Sequence, residues 1–108
     1  MKTLCIISIS LFLMLESTAF AGTITGNEYL SLNQHERLFY SAGFTDGWQY
    51  VLLLMGKYSP DNITYKQVSD ILYKYISLHP ESRNEALSSL ALAAMGEAFP
   101  VSTLKSLK

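Results

Sequence analysis

The sequence predicts an all-α domain, a compact unit of about four helices of which one is short and three are longer. Two observations favour this class. Apolar residues recur at helical spacing over most of the chain, and no segment sustains the apolar–polar alternation that is typical of a β-strand. In addition, Pro80 and Pro100 each follow a helical pattern at the point where it stops. With 108 residues, the chain has room for one small domain.

The first two helices are predicted before residue 56. The short one covers residues 27–32, with Asn27 as its N-cap behind Gly26. The second covers residues 34–55, and Gly56 is a natural stop. Its predicted core-facing stripe consists of Leu38, Phe39, Ala42, Thr45 and Asp46.

The third and fourth helices follow a turn-rich segment, residues 57–63. Thr64 and Gln67 have capping-box spacing, which predicts the start of the third helix. Pro80 ends that helix and also suits the first turn of the fourth, where Glu81 lies near the positive end of the helix dipole. The predicted core stripes are Val68, Ile71, Leu72, Tyr75 and Ile76 in the third helix, and Leu87, Leu90, Ala91, Ala94, Met95 and Ala98 in the fourth.

The N-terminus has the pattern of a secretory signal peptide. Lys2 supplies a positive charge, residues 4–15 form an apolar run, and Ala19-Phe20-Ala21 is a cleavage signal. We therefore expect residues 1–21 to be removed after Ala21, and residues 22–108 to form the single helical domain. Because Cys5 is the only cysteine, the predicted mature chain has no thiol and no disulfide.

Composition and motifs exclude several classes of function. A net charge of −1 without a Lys/Arg cluster argues against nucleic acid as a partner, and no apolar run is long enough for stable membrane insertion. The two histidines, His35 and His79, lack metal-ligand spacing, and there is no phosphate loop or nucleophile elbow. We therefore predict no catalytic residue, no metal and no cofactor.

Three features allow two interpretations each. Gly43 and Gly47 flank Asp46 inside the second helix. In one interpretation the glycines let another helix approach, and Asp46 bonds to a helix end or a basic side chain. In the other, Asp46 is a functional acid. The apolar run 48–55 is either wrapped by the other helices or meets a second protomer or partner. Tyr73 is either an interface aromatic or a tyrosine lying flat on the surface.

An ordered set of short motifs resembles the Rap/Tai-like immunity proteins associated with bacterial type VI secretion. The similarity covers residues 40–100, and each motif is weak alone while their order is fairly specific. The residues that carry it are Gly43, Asp46, Gly47, Pro60, Thr64, Gln67, His79, Pro80, Glu81, Phe99 and Pro100.

The resemblance implies a periplasmic helical protein, often a homodimer, that binds a cognate peptidoglycan-degrading amidase effector and inhibits it by covering its active-site cleft. Effector contacts are expected on the segment after the second helix, with Tyr73 as a second candidate; the residues are Lys57, Tyr58, Ser59, Asp61, Asn62 and Tyr73. The alternative is a periplasmic stress or chaperone-like helical binding protein that has no effector partner.

The chain departs from the family pattern at two positions. The family has cysteines where this chain has Ser59 and Val101, so both presumed partners of a disulfide are absent together. Losing such a link typically removes about 2 to 4 kcal/mol of stability. The resemblance therefore predicts that Ser59→Cys combined with Val101→Cys forms an intrachain disulfide and raises the melting temperature.

Overall fold

Four α-helices follow one another in the computed structural model, which describes residues 24–107. They are α1 (Gly26–Ser31), α2 (Gln34–Leu54), α3 (Tyr65–Leu78) and α4 (Leu87–Ala98). Short 3-10 turns lie at Pro80–Ser82 and Val101–Thr103. The predicted all-α class is confirmed for this part of the chain. The predicted signal peptide, residues 1–21, lies outside the described residues.

Each of the first three helices begins with a capping box, in which two side chains satisfy backbone N–H groups that the helix leaves free. The predicted box of α3 is confirmed: the Thr64 hydroxyl accepts from the Gln67 backbone at 3.1 Å, and the Gln67 side chain accepts from the Thr64 backbone at 2.8 Å. The three pairs are Thr25 with Glu28, Asn33 with Glu36, and Thr64 with Gln67.

The predicted cap of α1 is wrong. Thr25, not Asn27, precedes the helix: its hydroxyl accepts from the Glu28 backbone at 3.2 Å, and its own backbone N–H donates to the Glu28 carboxylate at 2.8 Å. Asn27 lies inside the helix and donates instead to the Asn84 side chain at 2.9 Å. Thr25 is the N-cap because it forms a reciprocal pair of hydrogen bonds with Glu28.

The predicted start of α4 is also wrong, because Pro80 and Glu81 belong to a separate 3-10 turn and α4 begins only at Leu87. The intervening segment is held against the chain that enters α1. The Gly26 N–H donates to the carbonyl of Glu85 at 3.1 Å, and the Leu87 N–H donates to the carbonyl of Ile24 at 2.7 Å. These backbone groups are therefore not available to continue a helix upstream of Leu87.

Helix α3 lies at the centre and contacts the three other helices. Its predicted stripe is confirmed, since Val68, Leu72 and Ile76 are buried and the other two members are half-buried against the core. The stripe of α4 is confirmed except for Ala98, which is exposed. The buried apolar core consists of Tyr29, Trp48, Leu52, Val68, Leu72, Ile76, Leu87, Leu90, Ala91, Ala94 and Met95.

Helix α2 is rotated relative to its predicted orientation. Of the predicted stripe, Thr45 is buried, whereas Phe39 is 81% exposed and Asp46 is exposed. The residues that are buried are Ser41, Thr45, Trp48 and Leu52, which recur at the spacing of a single helical stripe. The first two residues of this stripe, Ser41 and Thr45, are polar. A pattern that counts only apolar residues therefore does not detect them.

Candidate functional site

The segment after α2 is paired with the C-terminal tail of the described chain. Gly56, at φ +76°, turns the backbone away from the helix. Its carbonyl accepts from the Leu107 N–H at 2.9 Å, and the Tyr58 N–H donates to the carbonyl of Lys105 at 2.8 Å. The two segments therefore run antiparallel and brace each other, which fixes the position of the loop that follows.

An open cleft of about 440 Å³ lies where this loop meets the tail, and we call it the loop–tail cleft. Its wall contains an exposed tyrosine ring, a carboxylate and an ammonium group, so it presents an aromatic surface together with both charge signs. The lining residues are Tyr58, Ser59, Pro60, Asp61, Thr103, Leu104 and Lys105.

The structure divides the five predicted contact residues of this loop into two groups. Tyr58, Ser59 and Asp61 line the loop–tail cleft. Lys57 acts as a brace instead, because its ammonium donates to the Ser106 hydroxyl at 3.2 Å and to the carbonyl of Leu104 at 3.4 Å. Asn62 occupies the left-handed region at φ 58°, where asparagine is tolerated better than most residues, and so shapes the turn.

Tyr73 is not among the residues that line the cleft. It lies on α3 with 41% of its surface exposed, and the guanidinium of Arg37 is 4.6 Å from the centre of its ring. The same guanidinium donates to the carbonyl of Leu32. This cation–π contact links α3 to the first turns of α2, so Tyr73 already has a partner within the chain.

Gly43 and Gly47 do not serve close packing among residues 24–107. A Cβ atom built on either glycine would meet no atom within 4 Å. Asp46, in contrast, does bond to the end of a neighbouring helix. Its carboxylate accepts from the Tyr65 hydroxyl at 2.9 Å, and Tyr65 is the first residue of α3. This bond, and after it the negative charge of Asp46, raise the pKa of Tyr65.

Several other motif residues stand at helix ends. His79 follows α3: its Nδ1 lies 2.7 Å from the Tyr75 carbonyl, and its ring stacks on the Tyr75 ring with centroids 4.0 Å apart. Phe99 follows α4 and packs against Trp48 with ring centroids 6.0 Å apart. Pro80 and Glu81 form the 3-10 turn, and Pro100 precedes the last one. Each of these motif residues therefore terminates or joins an element.

A second candidate surface is the outer face of α2, which we define as Phe39, Gly43, Gly47, Tyr50, Leu53 and Leu54. At 100° per residue these positions lie opposite the buried stripe. The apolar run 48–55 is therefore not wrapped by the other helices, since only Trp48 and Leu52 of it are buried. The exposed fractions are 81% for Phe39, 70% for Leu54, 63% for Tyr50 and 55% for Leu53.

Residues 24–107 have no group of three or more His, Cys, Asp or Glu placed to hold a metal ion. Within the same residues, every buried side-chain nitrogen and oxygen atom has a hydrogen-bond partner. No helix in this part of the chain has the length and apolar character required to cross a membrane.

In comparisons with protein-family models, curated proteins and solved structures, no match to the chain is found.

Proposed function

We propose that this chain is a periplasmic immunity protein that binds a cognate peptidoglycan-degrading amidase effector of type VI secretion and inhibits it by occluding the active site. In this proposal it acts as a homodimer and contributes no catalytic group, metal or cofactor. The ordered motif set supports the proposal, because most of its members stand at helix ends with structural roles, and one member, Pro60, lines the cleft.

The loop–tail cleft is the observation that carries the proposal. Occlusion of an enzyme cleft requires a side chain that projects from a loop and a loop that holds its shape. Tyr58 lines the cleft and is 50% exposed, and its backbone N–H donates to the carbonyl of Lys105. Because that loop is already ordered, binding through it costs less conformational entropy than binding through a flexible segment.

The side chains of the cleft fit recognition of a protein surface. A tyrosine supplies a large contact area with few rotatable bonds and is enriched at binding hot spots. Asp61 and Lys105, which carry opposite charges, also line the cleft. Charge pairs at the rim of an interface contribute to partner discrimination more than to affinity. We therefore expect Tyr58 to supply binding energy and the two charged residues to select the effector.

The test is co-expression with an amidase-like effector encoded by a neighbouring gene, followed by a pull-down and a cell-wall lysis assay. The wild-type chain is expected to bind the effector and to prevent lysis. Tyr58→Ala should weaken binding about 30-fold or more, in line with an interface hot spot. Tyr65→Ala is the matched control, because Tyr65 is an exposed tyrosine at 45% outside the cleft.

Two outcomes would contradict parts of this proposal. Failure to bind or neutralise any product of an adjacent gene would remove the immunity function, and hydrolysis of peptidoglycan fragments by the purified protein would indicate an enzyme. If Tyr73→Ala weakened binding and Tyr58→Ala did not, the contact would lie on α3 rather than at the cleft.

A periplasmic stress or chaperone-like function is the alternative, and the outer face of α2 is the observation that favours it. Apolar side chains exposed to this extent can bind unfolded segments of other proteins. Under this alternative, the purified chain would suppress aggregation of a denatured client protein without any effector. A Leu54→Asp variant would lose that activity, whereas Tyr58→Ala would retain it.

A further inference from the structure

The last turns of α2 and the start of the loop that follows them present a second kind of apolar surface. Six large side chains of this segment are between 47% and 70% exposed, and we call them the apolar tip: Tyr50, Val51, Leu53, Leu54, Met55 and Tyr58. At 100° per residue, the members from residue 50 to residue 55 cover roughly 200° of the helix circumference. Contacts among residues 24–107 therefore leave the tip in water, where apolar surface is unfavourable.

We propose that the apolar tip docks on an anionic phospholipid membrane and inserts reversibly into one leaflet. The inference goes beyond the proposed function, since it requires neither an amidase effector nor a second copy of the chain. Three properties of the tip favour lipid as its partner: the charges beside it, the chemistry of its side chains and the pairing of its backbone.

The charges beside the tip are basic. Residues 47–60 and 98–107 contain no Asp or Glu, and they contribute Lys57 and Lys105. Lys57 directly precedes the last member of the tip, and the bond from the Tyr58 N–H to the Lys105 carbonyl, at 2.8 Å, brings the second lysine beside it. A lysine held at an anionic membrane surface strengthens binding about fivefold, because the headgroups carry the opposite charge.

Both lysines keep their positive charge in the structure. Lys57 donates to a carbonyl and a hydroxyl of the tail, which are neutral groups. Asp61 lines the same cleft as Lys105, but the one ion pair within 4.0 Å among residues 24–107 joins Lys66 to Asp70. The positive field at this end of the molecule is therefore not cancelled by a paired carboxylate of the described chain.

The side chains of the tip suit the layers of a membrane interface. Its four aliphatic members carry no strong hydrogen-bonding group, as acyl chains require. Tyr50 and Tyr58 combine an apolar ring with a hydroxyl, and this type of side chain is enriched at the boundary between acyl chains and headgroups. A specific protein interface has about one hydrogen bond per 100–200 Å² and takes much of its energy from Trp, Tyr and Arg. The aliphatic centre of the tip fits lipid better.

The backbone of the tip is already paired, which lowers the cost of removing it from water. The carbonyls of Val51, Leu52 and Leu53 each accept from a following backbone N–H at 2.9 to 3.0 Å. The Gly56 carbonyl accepts from the Leu107 N–H at 2.9 Å. A helix end with free carbonyls could not enter an apolar layer without a large penalty. Here the chain turns back at Gly56 and satisfies these groups itself.

The length of the tip agrees with insertion by its end. Residues 50–55 extend about 8 Å along the helix axis, and interfacial elements insert by about 5 to 10 Å. Asp46 lies eight residues before Leu54, about 12 Å back along the axis, so its carboxylate remains outside the acyl layer. A helix lying flat on the membrane would instead bring Asp46 to the lipid surface, since this residue is exposed.

The first experiment measures co-sedimentation of the full chain with vesicles made of equal parts of phosphatidylcholine and phosphatidylglycerol. Leu54→Asp is expected to weaken binding about tenfold or more, because a carboxylate replaces an inserted leucine. Leu92→Asp is the matched control and should bind like wild type, since Leu92 is a 58% exposed leucine on α4. The apolar residues 4–15 are identical in all variants, so a difference reports on the tip. Equal binding by wild type and Leu54→Asp would overturn the proposal.

The second experiment tests the anionic surface. Lys105→Gln should weaken binding to the same vesicles about fivefold, and added salt should weaken binding of the wild-type chain. Lys74→Gln is the control, because Lys74 is exposed on α3 next to Tyr73, whose ring contacts Arg37 near the opposite end of α2. Wild-type binding that is equally strong on pure phosphatidylcholine vesicles, or a Lys105→Gln variant that binds like wild type, would overturn the proposal.

The third experiment locates the contact with an environment-sensitive fluorophore on a Cys5→Ser background. The label at Leu54→Cys is expected to brighten and to shift to shorter wavelength on the anionic vesicles, because it enters the acyl layer. The label at Leu92→Cys should keep the spectrum it has in water. The same response at both positions, or no response at residue 54, would place the membrane contact elsewhere and overturn insertion of the tip.

A protein partner for the tip is distinguishable by the same variants. If Leu54→Asp bound vesicles like wild type and lost neutralisation of the effector, the tip would contact protein and the membrane proposal would be overturned. If the wild-type chain bound vesicles through the tip and neutralised no effector, the membrane proposal would stand and the immunity function would be overturned.

Discussion

The two faces of α2 do not divide into an apolar inner face and a polar outer face. The inner face buries the hydroxyls of Ser41 and Thr45, whereas the outer face exposes Phe39 and Leu54 to solvent. Small polar groups therefore lie inside in the first part of the helix, and Trp48 and Leu52 complete the inner face in its last part. The orientation of a helix therefore follows from shape and hydrogen bonding at its tightest contact, as well as from the number of apolar side chains on each face.

The inner face tolerates its hydroxyls because each has a partner. The Thr45 hydroxyl donates to the Ser41 carbonyl at 2.6 Å. The Tyr29 hydroxyl lies 3.1 Å from the hydroxyl of Ser41 and 3.1 Å from that of Ser69, so one phenol joins α1, α2 and α3. A buried polar group costs little when it is bonded. The small size of the serines also leaves room for the tyrosine ring between the helices.

The largest expected contrast compares two leucines in the last turn of α2. Leu52→Ala on the inner face should lower the free energy of unfolding by about 3 kcal/mol, because it opens a cavity in the core where Leu52 is 2% exposed. Leu54→Ala on the outer face should change it by less than about 0.5 kcal/mol at concentrations where the chain is monomeric. Denaturant unfolding measures both, and equal losses would mean that the outer face is packed within the monomer.

A second contrast compares two glycines. An alanine Cβ at Gly26 would lie 2.7 Å from Leu90 Cδ1 and 3.1 Å from the Arg83 carbonyl oxygen, whereas at Gly43 it would meet nothing. Gly26→Ala should therefore destabilise the fold by about 2 kcal/mol through overpacking, and Gly43→Ala should stabilise the monomer by about 1 kcal/mol. Thermal unfolding of the dilute proteins checks the signs, and a stabilising Gly26→Ala would refute the close approach of α1 to α4.

A third contrast removes one tyrosine hydroxyl from the core and one from the outer face of α2. Tyr29→Phe deprives the buried hydroxyls of Ser41 and Ser69 of their shared partner, so the free energy of unfolding should fall by about 1 to 2 kcal/mol. Tyr50→Phe, on the outer face, should leave the stability of the dilute monomer within about 0.5 kcal/mol of wild type. If Tyr29→Phe were neutral, the phenol would not be what joins the three helices.

The sequence was most informative where a local pattern and the tertiary contacts agree. Thr64 and Gln67 predicted the start of α3. The stripe that follows them is part of the core, and because α3 buries this one stripe and exposes its other face, the burial is visible in the apolar periodicity. The start of α4 was not predictable in the same way. It depends on Gly26 and Ile24 holding the segment before Leu87, and those contacts join residues far apart in sequence.

The candidate site was predictable only in its location. The turn chemistry of residues 57–63 indicated a loop, and the loop does form one wall of the cleft. The other wall is the C-terminal tail, and no sequence pattern links Lys105 to Tyr58. Lys57 is among the predicted partner contacts, and no sequence pattern indicates that its ammonium donates to the tail of its own chain. Tertiary pairing decides which residues of a loop remain available.

The smallest expected effect concerns the polar edge of the outer face, where Asp46 accepts from the Tyr65 hydroxyl. The bond to Asp46 and the charge of Asp46 raise the pKa of Tyr65 above its ordinary value near 10. Because the folded pKa is the higher one, the stability this pair contributes is complete below about pH 10 and is lost as pH rises through the folded pKa.

An NMR titration of ring-labelled tyrosine, with Tyr65→Phe used to assign the signal, measures this pKa directly. Asp46→Asn removes the carboxylate charge and should return the Tyr65 pKa towards its ordinary value, with little change in stability at neutral pH. The comparison with Asp46→Ala then separates the roles of charge and side-chain length at this edge. If Tyr65 titrated identically in wild type and Asp46→Asn, the Asp46–Tyr65 bond would not persist in solution, and the outer face of α2 would have no fixed polar edge beside α3.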